Sequence, residues 1–201
     1  LCMASLTYDL IMSREISKEQ LTIIFVDEEG LYKSMVAAAL RWRQKFMAIG
    51  VPFIWLCLPL KPVSVLDRLS SSESWITWEP GNEDEWIREP PTFAVMEHPI
   101  LRYPGEMNYQ TFCKKAFSDG IQMIGLRTAE SLTRLQSVTN LDLSRVAPGG
   151  AFYPSYDWKD NDVWRYIKER KLECPEIYIR LYEAGVQKRN LLLCAFFGDC
   201  G

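Results

Sequence analysis

A strand–helix–strand pattern near the start of the chain constrains the fold most. Residues 21–26 read LTIIFV, a short continuous apolar run rich in β-branched side chains that ends at an acidic turn. Such a run is typical of a strand buried on both faces of a parallel sheet. Residues 31–49 then place apolar side chains at helical spacing, Gly50 ends that helix, and a second strand is predicted at residues 53–58. The pattern predicts an α/β protein in which a right-handed crossover joins two parallel strands.

The remaining elements are predicted in the same way. Residues 1–15 indicate an amphipathic helix, and residues 122–126 a third strand that leads directly into a helix. The other predicted helices lie at residues 109–118, 159–170 and 175–184. A chain of 201 residues without an internal repeat is expected to form one domain, residues 1–201.

A long segment, residues 59–106, interrupts this order, and we call it the Trp-rich segment. It carries Trp75, Trp78 and Trp86 among acidic residues and prolines. Segments of this length inside compact domains are usually lids, binding segments or partner surfaces. The tryptophans therefore have two interpretations: a surface for a protein partner, or packing residues that fix the segment to the body of the domain.

Composition excludes several classes of protein. The formal charge of −3 removes the strong basic field of a DNA-coating protein, so direct DNA binding is not expected. The longest apolar runs are too short to span a bilayer, which favours a soluble, cytoplasmic protein without membrane contact. Six cysteines are scattered, mostly in apolar stretches, and the chain has one histidine. Reduced thiols and no tightly bound metal are therefore expected.

The most informative polar segment follows the third predicted strand. Gly125 and Arg127 stand at its end, and Ser131 and Arg134 lie on the helix that opens there. Free N–H groups at a helix start and an arginine beside them suit a phosphate or sulfate group. The alternative is a solvated first turn with an ordinary surface arginine. The acidic residues 27–29 are similarly open: they are ribose hydroxyl acceptors or a charged turn.

Four segments resemble the phosphoadenosine phosphosulfate (PAPS) reductase family, of the adenine nucleotide alpha hydrolase superfamily. They read IIFVDEEGLYKSM at residues 23–35, GLRTAESLTR at 125–134, YPSYDWKDNDVWRYI at 153–167 and LYEAG at 181–185. The Trp-rich segment resembles a phage and prophage subfamily labelled PAPS reductase or sulfotransferase. The resemblance covers nearly all 201 residues, in sequence order.

The resemblance implies a Rossmann-like, mostly parallel, twisted sheet with helices on both faces that binds ATP or PAPS, with Mg²⁺ as a candidate companion, for sulfur activation or transfer. Asp27 and Glu28 would border the adenosine pocket, and Asp157 would orient a basic neighbour. The anionic end of the nucleotide would meet the following residues: Gly125, Arg127, Ser131, Arg134, Lys188 and Arg189.

The chain departs from the family pattern at three positions. At one of them, relatives in the phage subfamily tend to carry Met-Arg where this chain has Leu191 and Leu192, and the nearby Lys188 and Arg189 could offer the positive charge. The family's Ser-Gly-Gly-x-Asp-Ser pyrophosphate loop and the N-terminal strand that carries it are missing from residues 1–201, where they would directly precede the first helix. We expect the intact protein to carry both upstream. The Glu-Cys-Gly-x-His motif of the reductases is also missing, and Cys174 stands in ECPEIY at a predicted helix start. Thiol-based reduction is therefore disfavoured.

Two further functions remain open at this point. One is a noncatalytic interaction module with a degenerate nucleotide site, which would bind a protein through the Trp-rich segment. The other is a component of a DNA sulfur-modification or phage-defence system, which draws on kin in the same superfamily.

Overall fold

A computed structural model describes residues 1–62, 75–130, 132–139, 146–147 and 150–191. Its α-helices are α1 (Cys2–Met12), α2 (Lys33–Ala48), α3 (Tyr109–Ala116), α4 (Leu132–Thr139), α5 (Asp160–Glu169) and α6 (Glu176–Glu183). Its strands are β1 (Ile23–Val26), β2 (Phe53–Leu56), β3 (Gln122–Met123), β4 (Val146–Ala147) and β5 (Ala151–Phe152). The protein is mixed α/β, as the sequence predicts.

The predicted strand–helix–strand unit forms with the predicted parallel pairing. Ile23 of β1 pairs with Phe53 of β2, and the register continues to Val26 and Leu56. Leu56 also forms a parallel bridge with Val95, which adds a one-residue third strand from the Trp-rich segment.

Helices cover both faces of this first sheet. Ile54 and Leu56 pack toward Phe112 of α3, whereas Phe53 and Trp55 on the opposite face join apolar clusters with α2. This layering follows from side-chain alternation along each strand, because both faces carry apolar residues and each must be buried.

The second sheet is small and mixed. β3 pairs in parallel with β5, and β4 pairs antiparallel with β5. The third strand is shorter than the predicted 122–126, because the Leu126 N–H turns back to the Ile124 carbonyl at 2.9 Å. The described residues thus form two small sheets, and no strand among them joins one sheet to the other.

One edge of β1 has no strand beside it among the described residues. The Ile23 and Asp27 N–H groups donate to β2-side carbonyls of Pro52 and Leu56, at 2.9 and 2.8 Å. Because alternate residues of a strand direct their N–H groups to the same side, the N–H groups of Ile24 and Val26 point to the opposite, open edge.

Trp78 fixes the Trp-rich segment to the first sheet. Its side chain is 0% exposed and packs in one cluster with Trp55 and Cys57. The Trp86 ring meets the Trp78 ring edge-on, with centroids 5.5 Å apart. For Trp78 the packing interpretation is therefore confirmed.

No helix among the residues described combines the length and the apolar character that crossing a membrane requires.

Candidate functional site

A cavity of about 710 Å³ lies along the open edge of β1. Ile23 and Phe25 project from one face of β1 and Ile24 from the other, and all three line the cavity. Phe53 of β2 and residues of α2 line it as well, so the cavity extends from the open edge of β1 over the face that α2 covers. The cavity also reaches Gly125 and Arg127, which follow β3. It therefore extends from the first sheet to the segment that follows β3.

Gly125 allows the segment after β3 to approach α1. A Cβ atom at this position would lie 2.8 Å from Met3 Cγ, closer than non-bonded carbon atoms come. The predicted site glycine thus has a packing role, which brings the next residues to the cavity wall.

Arg127 is the most buried cation of the cavity, with 8% of the residue exposed. Its Nε lies 3.0 Å from Glu130 Oε1, and its Nη1 lies 3.0 Å from Asp160 Oδ1 at the start of α5. The backbone beside it is held in place, because Thr128 N–H and Oγ1 both donate to the Tyr156 carbonyl, at 2.8 and 2.9 Å. Contacts to the side chain and to the neighbouring backbone therefore both hold Arg127 in place.

Arg134 and Lys188 add positive charge to the same wall. Arg134 pairs with the second oxygen of Glu130, and burial together with the charge of Arg127 lowers the pKa of Arg134. An arginine stays protonated at neutral pH even so. Three cations and two carboxylates from the described residues line the cavity, so positive charge exceeds negative charge by one.

Three of the predicted anion-site residues, Ser131, Asp157 and Arg189, are not among the residues that the structure shows lining the cavity. Ser131 falls outside the described residues, and Arg189 lies in a 3₁₀ helix, Lys188–Asn190, with a side chain that is not described. Asp157 is exposed and is not part of the cavity wall. Its neighbours Ser155 and Asp160 do line the cavity, and the sequence reasoning missed both.

The structure does not bring Asp27 and Glu28 to the cavity wall that holds Arg127. The Asp27 carboxylate is fully buried, accepts the Trp55 Nε1–H at 2.8 Å and pairs with Arg88 of the Trp-rich segment. Glu28 is half-buried, and its burial together with the nearby Asp27 carboxylate raises its pKa.

Glu29 belongs to the same network, whereas the sequence left it, with the rest of residues 27–29, as a ribose acceptor or part of a charged turn. Its carboxylate accepts the backbone N–H groups of Trp78 and Ile87, each at 2.8 Å. The acidic run at the end of the strand is the only signal of this arrangement in the sequence. The two partners of Glu29 lie in a distant segment, so no local pattern indicates them.

Two thiols, of Cys2 and Cys174, also line the cavity. Burial raises the pKa of each, so both are protonated at neutral pH. The four cysteines at described positions are free thiols; Cys194 and Cys200 lie outside those positions. Within the described ranges no group of three or more His, Cys, Asp or Glu side chains is arranged to hold a metal ion.

Comparisons with known proteins give one relative. No protein-family model and no solved structure matches the chain. The chain is 29% identical, over 207 aligned residues, to the Escherichia coli (strain K12) protein "Uncharacterized protein YbdN", and the match covers 93% of this chain and 50% of that protein. The chain thus spans about half the length of this relative, whose name specifies no activity.

Proposed function

We propose that the cavity holds the anionic group of an adenine nucleotide or sulfonucleotide, ATP or PAPS, used in sulfur activation or transfer. The observation that carries the proposal is the burial of Arg127 in a cavity wall. Arginine is seldom buried unless it is paired, and here it is paired at the rim of a space large enough for a ligand. A buried guanidinium in such a place binds oxyanions with geometric specificity.

The position of Arg127 supports the same proposal. Arg127 follows the carboxyl end of β3, a strand in parallel pairing, and ligands of open parallel sheets bind beyond such ends. Mg²⁺ enters the proposal as the companion of ATP, whose phosphates bind it through oxygen.

The proposal also concerns the arrangement of the strands in the sheet. In a mostly parallel, twisted, Rossmann-like sheet, a further strand would lie on the open edge of β1, between the two sheets. The N–H groups of Ile24 and Val26 point to that edge and need acceptors when they are buried. A strand there would supply the acceptors, and the loop after it would lie toward Arg127.

Calorimetric titration of this chain with ATP, PAPS and adenosine tests the proposal. The R127Q variant removes a charged donor worth about 1.5–3 kcal/mol, so we expect ATP and PAPS to bind roughly 10- to 100-fold more weakly. Adenosine has no anionic group, and R127Q should leave its binding unchanged.

A matched control is R165Q on the outer side of α5. The Arg165 side chain is 77% exposed and pairs with Glu169, so its loss should leave nucleotide binding unchanged. The proposal is wrong if the wild-type chain binds neither ATP nor PAPS, or if R127Q and R165Q have equal effects while thermal denaturation shows both variants folded.

A further inference from the structure

One carboxylate bridges the two arginines of the cavity wall. Glu130 Oε1 lies 3.0 Å from Arg127 Nε, and Glu130 Oε2 pairs with Arg134 Nη1. The Glu130 side chain is mostly buried, with 19% exposed. Its two oxygens therefore lie where the charges of both guanidinium groups converge, which is the position that best suits an anion.

The donors of Arg127 are divided between two carboxylates. A guanidinium offers two edges for a bidentate oxyanion, one formed by Nε and Nη2 and the other by Nη1 and Nη2. Glu130 holds Nε of the first edge, and Asp160 holds Nη1 of the second. Since Nε carries a single N–H, a phosphate that takes both donors of the first edge must displace Glu130.

An incoming anion should displace Glu130 more favourably than Asp160. Asp160 is the first residue of α5, where the helix dipole stabilises its negative charge in place. Glu130 lies in the single 3₁₀ turn Thr128–Glu130 between Arg127 and Arg134. A dianionic group in the position of the Glu130 carboxylate would carry twice its charge, so both arginines would attract it more strongly. A monoanionic group would be attracted about as strongly as the carboxylate that it replaces.

We propose that Glu130 is a built-in competitor that holds the two arginines in the absence of ligand, and that the two arginines together favour a dianionic phosphate over a monoanionic group. This inference rests on the proposed function, because it concerns the same anion site. It names the ligand class more narrowly: the group bound between Arg127 and Arg134 is a terminal, dianionic phosphate rather than a phosphodiester or a carboxylate. Binding exchanges the Arg127–Glu130 ion pair for an Arg127–phosphate pair, and Glu130 turns toward solvent.

Methyl phosphate and dimethyl phosphate are suitable probes, because at pH 7.5 they differ by one charge and little in size. We expect the wild-type chain to bind methyl phosphate more tightly than dimethyl phosphate in an NMR titration. The E130Q variant keeps the shape and removes the competing charge, so binding of methyl phosphate should tighten about three- to tenfold, as expected for the loss of a competing ion pair of about 1 kcal/mol. Dimethyl phosphate should gain by about the same factor, because an internal competitor lowers the apparent affinity of every ligand that must displace it in the same proportion.

Two further variants separate charge from shape and from fold. E169Q removes an exposed carboxylate of α5, 60% exposed and paired with Arg165, and should leave both affinities unchanged. E130D keeps the charge but is too short to reach both arginines, so methyl phosphate should bind more tightly than to wild type but less tightly than to E130Q. If E130Q does not fold, the test rests on E130D. The proposal is overturned if E130D binds methyl phosphate no more tightly than wild type does.

The outcomes also separate this inference from the proposed function. Equal affinities in wild type and E130Q overturn the competitor role and leave nucleotide binding standing. Weaker binding by E130Q overturns it as well, and shows that Glu130 aligns the arginines. If neither wild type nor E130Q binds methyl phosphate or ATP, both the proposed function and the competitor role are wrong.

Discussion

Arg88 and Asp27 form an ion pair across 61 residues of sequence. The Asp27 side chain is completely buried at the end of β1, and Arg88, in the Trp-rich segment, is 17% exposed. Arg88 Nε also donates to the Glu29 carbonyl at 3.1 Å, and the Trp78 indole donates to the Asp27 carbonyl at 2.6 Å. The acidic turn after β1 is therefore the anchor of the Trp-rich segment.

Neutralising this anchor should destabilise the fold strongly. D27N leaves the Arg88 guanidinium without its buried partner, and breaking a buried pair costs about 3–5 kcal/mol. Urea denaturation should show this loss in the free energy of unfolding. The exposed pair of Arg165 and Glu169 gives the matched control, since E169Q should cost no more than about 1 kcal/mol. Equal costs for the two variants would contradict an anchoring role of Asp27.

The first sheet was predictable because its determinants are local. An apolar run, a helical repeat and a second apolar run specify β1, α2 and β2, and the ends observed differ from those predicted by two residues or fewer. Gly50 takes a φ of +82°, as a residue that ends a helix in the left-handed region does. The Trp-rich segment was not predictable in detail, because residues from a distant part of the chain hold it.

The same distinction applies to the candidate site. Gly125, Arg127 and Arg134 lie within ten residues, and their spacing was enough to group them. The carboxylate of Asp160 is 33 residues from Arg127 in sequence, and no local pattern indicates that pair. Asp27 looked like a ligand residue because it ends a strand, yet its partners are the side chains of Trp55 and Arg88, which only the tertiary structure brings together.

The half-buried Glu28 predicts a pH-dependent effect on stability. Burial, and then the nearby Asp27 carboxylate, raise its pKa above the ordinary value of 4.5, so the folded state disfavours its ionised form. A raised carboxyl pKa destabilises the fold once pH exceeds the unfolded value, and has no effect below it. The E28Q variant should therefore have a higher Tm than wild type at pH 7 and an unchanged Tm at pH 3.5. A Tm difference of equal size at both pH values would contradict this assignment.

The open edge of β1 predicts an alternating pattern of hydrogen exchange. The N–H groups of Ile23 and Asp27 are bonded on the β2 side, whereas those of Ile24 and Val26 face the open edge. In the present chain we expect Ile24 and Val26 to exchange at least about tenfold faster than Ile23 and Asp27, since bonded amides exchange only on local opening. NMR-detected exchange resolves the four amides individually. Uniform protection along the strand would show that the open edge is paired.

Replacing Gly125 by alanine should have a steric cost, and a second substitution, at Met3, should relieve it. In G125A the new Cβ would lie 2.8 Å from Met3 Cγ, so the Met3 side chain, α1 or the segment after β3 must shift, at about 1–3 kcal/mol for overpacking. G120A is the matched control, because no atom lies within 4 Å of its added Cβ. A double-mutant cycle with M3A should show coupling between positions 3 and 125, as expected for residues in contact. Equal unfolding midpoints for G125A and G120A, or additive effects in the cycle, would mean that the close approach of α1 does not depend on this glycine.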